Sequence, residues 1–268
     1  MTEFILWGAS ALLLVAVMSV AWVVQWRTGQ GAWVDVFWTF GIGLAGLLVS
    51  LWPFVVGHID FRQGAVAGLI ALWSLRLGGH LVERALKGQP DARYEGLKRE
   101  WGAKAQPRLF GFLMLQAGAG ALLVVSLLVA ARNPAPGPTL QDLLGVLIML
   151  VALGGEATAD RQLAAFKANP ANKGKICDTG LWAWSRHPNY FFEWLGWCAW
   201  PVMAINLNGQ WLWGWLALTA PIYMYWLLTR VTGVPPLEAH MKKTRPEAFA
   251  AYAARTSIFF PRPPRNSD

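Results

Sequence analysis

Apolar residues in this chain come in runs of roughly 20, the length a helix needs to cross hydrocarbon, with polar clusters between them. The first run, 4–26, closes on Gln25, Arg27, Thr28, Gly29 and Gln30, and the second, about 33–56, carries Asp35 in its opening turns. A short loop with His58, Asp60 and Arg62 leads to a third run, about 64–86, which contains Arg76. The charged stretch 87–108 follows and is long enough to fold over a site. A fourth run, 109–131, stops at Asn133-Pro-Ala-Pro-Gly-Pro, which cannot continue a helix. The fifth begins after Thr139, an N-cap candidate with Asp142 at the third helical position, and continues past Glu156 and Asp160. Runs at 189–205 and 211–230 flank the turn Asn206-Leu-Asn-Gly, and a polar helical tail from 238 to 255 ends in Phe259-Phe-Pro-Arg-Pro-Pro.

The pattern predicts an all-α integral membrane protein of seven transmembrane helices in a single domain, 1–268. Lys and Arg concentrate in the loops after runs one, three, five and seven, against Arg62 and Arg132 elsewhere. By the positive-inside rule the N-terminus is outside and the C-terminus cytoplasmic. A signal peptide is a poor description of the first run, whose leading residues carry Glu3 and no cation.

Composition agrees with this layout: 55% of residues are hydrophobic and 17 are Trp. The net charge of +8 has no separate basic domain to carry it, so nucleic acid is not an expected partner; anionic lipid and an anionic ligand are. Cys177 and Cys198 match no metal or disulfide spacing, and the four histidines form no ligand cluster, so no metal is expected. No Walker loop or strand-bound Gly-x-Gly-x-x-Gly occurs, and Ser185 beside His187 is too close in sequence to form a triad.

Chemistry gathers in the stretch 167–194. Lys167, Lys173, Lys175 and Arg186 are cations suited to phosphate, and they run into an apolar helix that opens with Asn189, Tyr190 and Glu193. Asp35, Arg76, Glu156, Asp160 and Glu193 are ionisable groups in or near spans. Such groups are costly in a bilayer unless paired or hydrated. Mutual pairing, such as Asp35 with Arg76, is one explanation; a polar cavity open to the cytoplasm is the other. A basic face that only meets lipid head groups, with no catalysis, also stays open.

The segments Asn169-Pro-Ala-Asn-Lys-Gly-Lys and Gly180-Leu-Trp-Ala-Trp-Ser-Arg-His-Pro-Asn-Tyr-Phe-Phe-Glu-Trp, with Tyr252 and Thr256-Ser-Ile-Phe-Phe-Pro, resemble the bacterial branch of the steroid 5α-reductase family. The resemblance implies a multi-pass protein of the bacterial inner membrane that uses NADPH to reduce the conjugated C=C of a lipophilic enone, such as a 3-oxo-4-ene steroid or an isoprenoid. It also implies that 161–188 and 233–268 cap the cofactor. Asn189 and Glu193 match residues near the nicotinamide, Asp160 an acidic cofactor contact and Arg76 an arginine on the third span. Lys167 stands where relatives often have arginine. Arg93, Tyr94, Lys173, Lys175, Arg186 and His187 are the expected phosphate and ribose contacts, with Asn172 and Tyr190 as further expected cofactor contacts. A protonated Asp35 is the expected donor to the carbonyl, and Trp73 sits near where relatives place a tyrosine. No obligate protein partner is inferred. Arg-His-Pro-x-Tyr also occurs in isoprenylcysteine carboxyl methyltransferases, which leaves an S-adenosylmethionine-dependent methyltransferase as the alternative.

Overall fold

A computed structural model describes residues 2–52, 59–88 and 91–265. The described residues are helical, without strands. Five stretches are long and apolar enough to cross a membrane: Thr2–Thr28, Ala32–Leu51, Phe61–Leu86, Arg93–Ala131 and Leu140–Ala168. In lipid every backbone N–H and C=O must be satisfied within the protein, and a continuous helix does this by itself. The chain is a multi-pass membrane protein.

Two compact units share the chain: Met1–Val146 with Trp200–Ala220, and Leu147–Ala199 with Pro221–Asp268. In the first, α1 (Thr2–Thr28) packs along α2 (Ala32–Leu51) and α5 (Ala105–Ala131), while α2 also packs along α3 (Phe61–Leu86). The short α4 (Ala92–Trp101) precedes α5. Leu14, Met18, Ile42, Ile70, Leu113 and Leu127 fill the space between these helices, whereas Leu12, Leu75 and Leu115 face outward, as lipid-facing residues do. Indole N–H groups tie the helices together through main-chain carbonyls: Trp7 donates to Ala121 at 2.9 Å and Trp38 to Gln116 at 3.0 Å. An indole N–H at membrane depth has no water to bond and needs such an acceptor.

Arg62 opens α3, and Asp142 lies in the first turn of α6 (Leu140–Ala168). Both are almost fully buried and form a two-pronged ion pair of 2.6 and 2.7 Å. Thr139 and Asp142 also bond reciprocally, as the sequence expects of a helix start. The second apolar run reaches only Leu51 as helix; its expected end near 56 lies outside the described residues.

The expected continuous helices at 189–205 and 211–230 are broken. The first divides into α8 (Pro188–Trp197) and α9 (Ala199–Ala204). Pro201 explains the division, because a proline ring clashes with the carbonyl four residues back, here that of Trp197. The second consists of a 3₁₀ turn Leu212–Leu218, α10 (Thr219–Trp226) and a π turn Leu227–Val231. Pro221 acts on Ala217 in the same way.

In the second unit the later part of α6 lies against α8. A Cβ on Gly155 would come within 2.3 Å of the Phe192 ring, whereas one on the adjacent Gly154 would meet nothing within 4 Å. Gly155→Ala is therefore expected to cost about 1–3 kcal/mol through overpacking, and Gly154→Ala to cost nothing comparable. Thermal unfolding of the two variants in detergent measures the difference; equal midpoints would contradict the packing. The unit continues through α7 (Leu181–Trp184) and, after α10, through α11 (Val234–Thr244) and α12 (Pro246–Arg255).

Candidate functional site

Polar side chains cluster in each unit. In the first unit, Asp91 caps α4 by accepting from the Arg93 N–H at 3.0 Å and pairs with the side chains of Arg84 and Arg93. Burial would raise the Asp91 pKa, but hydrogen bonds and charge from Arg93, with Arg84 behind them, outweigh it and hold the carboxylate below its ordinary range. The Arg93 guanidinium also pairs with Asp35 on α2. The Tyr94 hydroxyl donates to Asp35 Oδ1 at 3.1 Å and lies 3.3 Å from Gln116 Nε2, which donates to it. Tyr94 is only 2% exposed. Gly31 makes this possible: a Cβ there would stand 2.4 Å from that of Tyr94.

Asp35 thus accepts from a guanidinium and a phenol, and Arg93 is an ion-pair partner for it beyond the Arg76 that the sequence suggests. The structure brings Asp35, Arg93 and Tyr94, three of the expected site residues, into one bonded cluster. Trp73 is buried in α3, and Arg76 is half-buried on the same helix.

In the second unit, Asp160 near the end of α6 accepts from the Asn189 amide of α8 at 3.4 Å. One turn further along α8, Glu193 is buried and accepts from Trp197 Nε1 at 2.8 Å. Spacings of four place Asn189, Glu193 and Trp197 on one face of that helix. Lys167, Lys173 and Lys175 are exposed on the segment leading to it. Asn172 is half-buried and donates to the Phe166 carbonyl at 3.0 Å. The structure thus joins Asp160 to Asn189 directly, and leaves the three lysines as solvated cations.

Arg186, expected at a phosphate, is bonded to the tail through its Nε and Nη1. Its Nε donates to Glu238 of α11 at 2.8 Å, and its Nη1 to the carbonyls of Ala253 and Thr256 at 3.2 and 3.0 Å. These bonds fasten the tail. The same segment is held by Arg186 N–H to the Ser257 carbonyl at 2.8 Å, Ser185 Oγ to the Phe259 carbonyl at 2.8 Å and the Tyr252 hydroxyl to the Trp182 carbonyl at 2.6 Å. Phe259 and Phe260 sit among Phe191, Trp194 and Tyr225, with ring centroids 5.4–6.2 Å apart at the extremes. His187 is buried, stacks flat on Tyr190 at 5.6 Å, and places Nε2 3.3 Å from Glu238 Oε1.

Glu238 escaped the sequence reading. Its signal was present: it follows Val234 by one turn on the buried side of a helix opened by Pro235-Pro236. Burial would raise its pKa, but hydrogen bonds from His187 and Arg186 prevail and lower it from an ordinary 4.5. A carboxylate with a depressed folded pKa contributes stability that is present above its unfolded pKa and disappears as pH falls through the folded value. Tail docking is accordingly expected to weaken below about pH 4.5. Glu238→Gln should remove part of the fall in thermal midpoint between neutral and acidic pH; a wild-type slope left intact in the variant would refute the linkage.

No curated protein and no solved structure matches this chain. A family model described as "Protein of unknown function (DUF1295)" matches residues 21–256, a range that takes in the polar clusters of both units and stops just short of Ser257, Phe259 and Phe260. The chain belongs to this family, a steroid 5α-reductase-like membrane family.

Proposed function

We propose that this protein is an NADPH-dependent reductase that transfers a hydride to the conjugated C=C of a lipophilic enone. The observation that carries the reading lies in the second unit: exposed Lys167, Lys173 and Lys175 lead directly to half-buried Asp160 and Asn189 and to buried Glu193. Cations reached from solvent suit the phosphates of a dinucleotide, and an amide and carboxylates partly shielded from solvent suit its nicotinamide end. NADPH would supply the hydride; the chain's own residues bind, orient and exclude water. Negative charge develops on the enone oxygen as hydride adds, so a donor aimed there stabilises the transition state more than the ground state.

The reading takes the broken segments Pro188–Ala204 and Leu212–Val231 as spans six and seven, with the N-terminus outside, the C-terminus cytoplasmic and the bacterial inner membrane as the location. Irregular backbone at membrane depth is tolerated where protein buries it or water reaches it, and the basic loops give the orientation. Its substrate would be a steroid or isoprenoid enone.

Calorimetry on the detergent-purified protein with NADPH, NADH and S-adenosylmethionine tests the cofactor, and loss of NADPH absorbance with 3-oxo-4-ene steroids tests the reaction. NADPH is expected to bind most tightly. Tighter binding of S-adenosylmethionine would favour a lipid or isoprenylcysteine-type methyltransferase. No nucleotide binding, together with sensitivity to membrane charge alone, would favour a lipid-binding protein.

A further inference from the structure

We infer that Glu238 is a positioning residue: it fixes the His187 ring with the proton on Nε2, so that Nδ1 serves as a hydrogen-bond acceptor for a donor group of the bound dinucleotide. A ribose hydroxyl or the carboxamide N–H is such a group. This inference rests on the nucleotide reading above and deepens it, and all of its geometry lies within the second unit.

Glu238 comes from α11, 51 residues beyond His187, and is 8% exposed. Its Oε1 lies 2.8 Å from Arg186 Nε and 3.3 Å from His187 Nε2. An ionised carboxylate only accepts hydrogen bonds, so the ring nitrogen that faces it is the one bearing hydrogen. In a neutral imidazole the other nitrogen is then an acceptor. The tautomer follows from the partner.

The ring has little freedom to escape this arrangement. It is 2% exposed, lies within 5° of parallel to the Tyr190 ring, and follows a backbone N–H that bonds Ser185 Oγ at 3.1 Å. Ser185 is itself anchored to the Phe259 carbonyl. The carboxylate cannot follow a rotating ring either, because Arg186 holds the same oxygen and is in turn bonded to Ala253 and Thr256. Among the described residues, Glu238 is the only polar side chain bonded to the His187 ring. An acceptor whose direction is set by its surroundings favours a ligand that brings a donor. Placing Nε2–H against Glu238 therefore does two things: it locks the tail to the 185–187 segment, and it decides which half of the imidazole can meet a ligand.

The test uses the full-length protein in detergent, labelled with ¹⁵N-histidine. The chain has four histidines, and the His187 signals are assigned by their loss in His187→Gln. In the wild type, Nε2 is expected to show a protonated-type shift and Nδ1 an unprotonated-type shift, and NADPH is expected to move the Nδ1 signal. Glu238→Gln, whose amide can either accept or donate, is expected to mix the tautomers and weaken NADPH about tenfold, the effect of one misdirected hydrogen bond. Should that variant fail to fold, the wild-type spectrum alone still decides the tautomer. A wild-type ring protonated on Nδ1, or on both nitrogens, overturns the inference. So does an Nδ1 signal that saturating NADPH leaves unmoved, or a Glu238→Gln variant with unchanged tautomer and affinity. Complete absence of NADPH binding overturns the nucleotide reading and the ligand assigned to Nδ1; the tautomer measured before nucleotide is added then judges the role of Glu238 by itself.

Discussion

Asp142→Asn is expected to destabilise the folded protein by about 3–5 kcal/mol, the cost of breaking a buried ion pair by altering one partner. The carboxylate accepts from Arg62 Nε and Nη2 at 2.6 and 2.7 Å and from the Thr139 N–H and hydroxyl at 2.8 Å each. Asparagine keeps the shape but offers a single acceptor oxygen. It also leaves the guanidinium, 2% exposed, without a counter-charge. Arg62 Nη1 meanwhile donates to the Asn133 and Ala135 carbonyls at 2.7 Å, so a guanidinium seeking water would pull the Pro-rich turn with it. Two helix starts and the turn between α5 and α6 depend on one pair of charges.

The double substitution Arg62→Met with Asp142→Leu is expected to recover most of that loss, because removing both charges also removes both desolvation penalties. Thermal unfolding of the two single variants, the double variant and the wild type forms a complete cycle. A double variant that unfolds as early as Asp142→Asn would mean that the carbonyl bonds of Arg62, rather than the ion pair, hold the turn.

Much of this architecture was legible in the sequence because a bilayer imposes one strong rule: runs of roughly 20 apolar residues become helices. Starts and stops set by local chemistry were legible too, as at Thr139 and at Asn133-Pro-Ala-Pro. The later segments were harder. Their hydropathy reads as continuous, but Pro201 and Pro221 break the backbone without lowering apolar content, so a hydropathy window passes over the very residues that divide them. Charge partners brought from afar were not legible. Asp35 interrupts an apolar run, but nothing near it announces that α4 brings Arg93 to it from 58 residues away. Arg186 shows the same difficulty: a cation within a basic loop gives no sign of the buried carboxylate 52 residues downstream that accepts from its Nε. Tertiary pairing of this kind leaves no period and no motif in the chain.

Tyr94→Phe is expected to destabilise the folded protein by about 1–3 kcal/mol, the cost of leaving buried polar groups without a partner. The hydroxyl stands between the Asp35 carboxylate and the Gln116 amide at 3.1 and 3.3 Å. It gives its one hydrogen to Asp35 and accepts one from Gln116. Phenylalanine fits the same buried space beside Gly31, so the loss should fall on these two bonds and not on packing. Asp35→Asn should cost at least as much, since the amide still accepts from Tyr94 but no longer balances the Arg93 guanidinium. Thermal unfolding of the two variants in detergent reads the difference. A Tyr94→Phe variant as stable as the wild type would mean that the hydroxyl bonds hold nothing, and an Asp35→Asn variant more stable than Tyr94→Phe would mean that the charge facing Arg93 adds nothing to them.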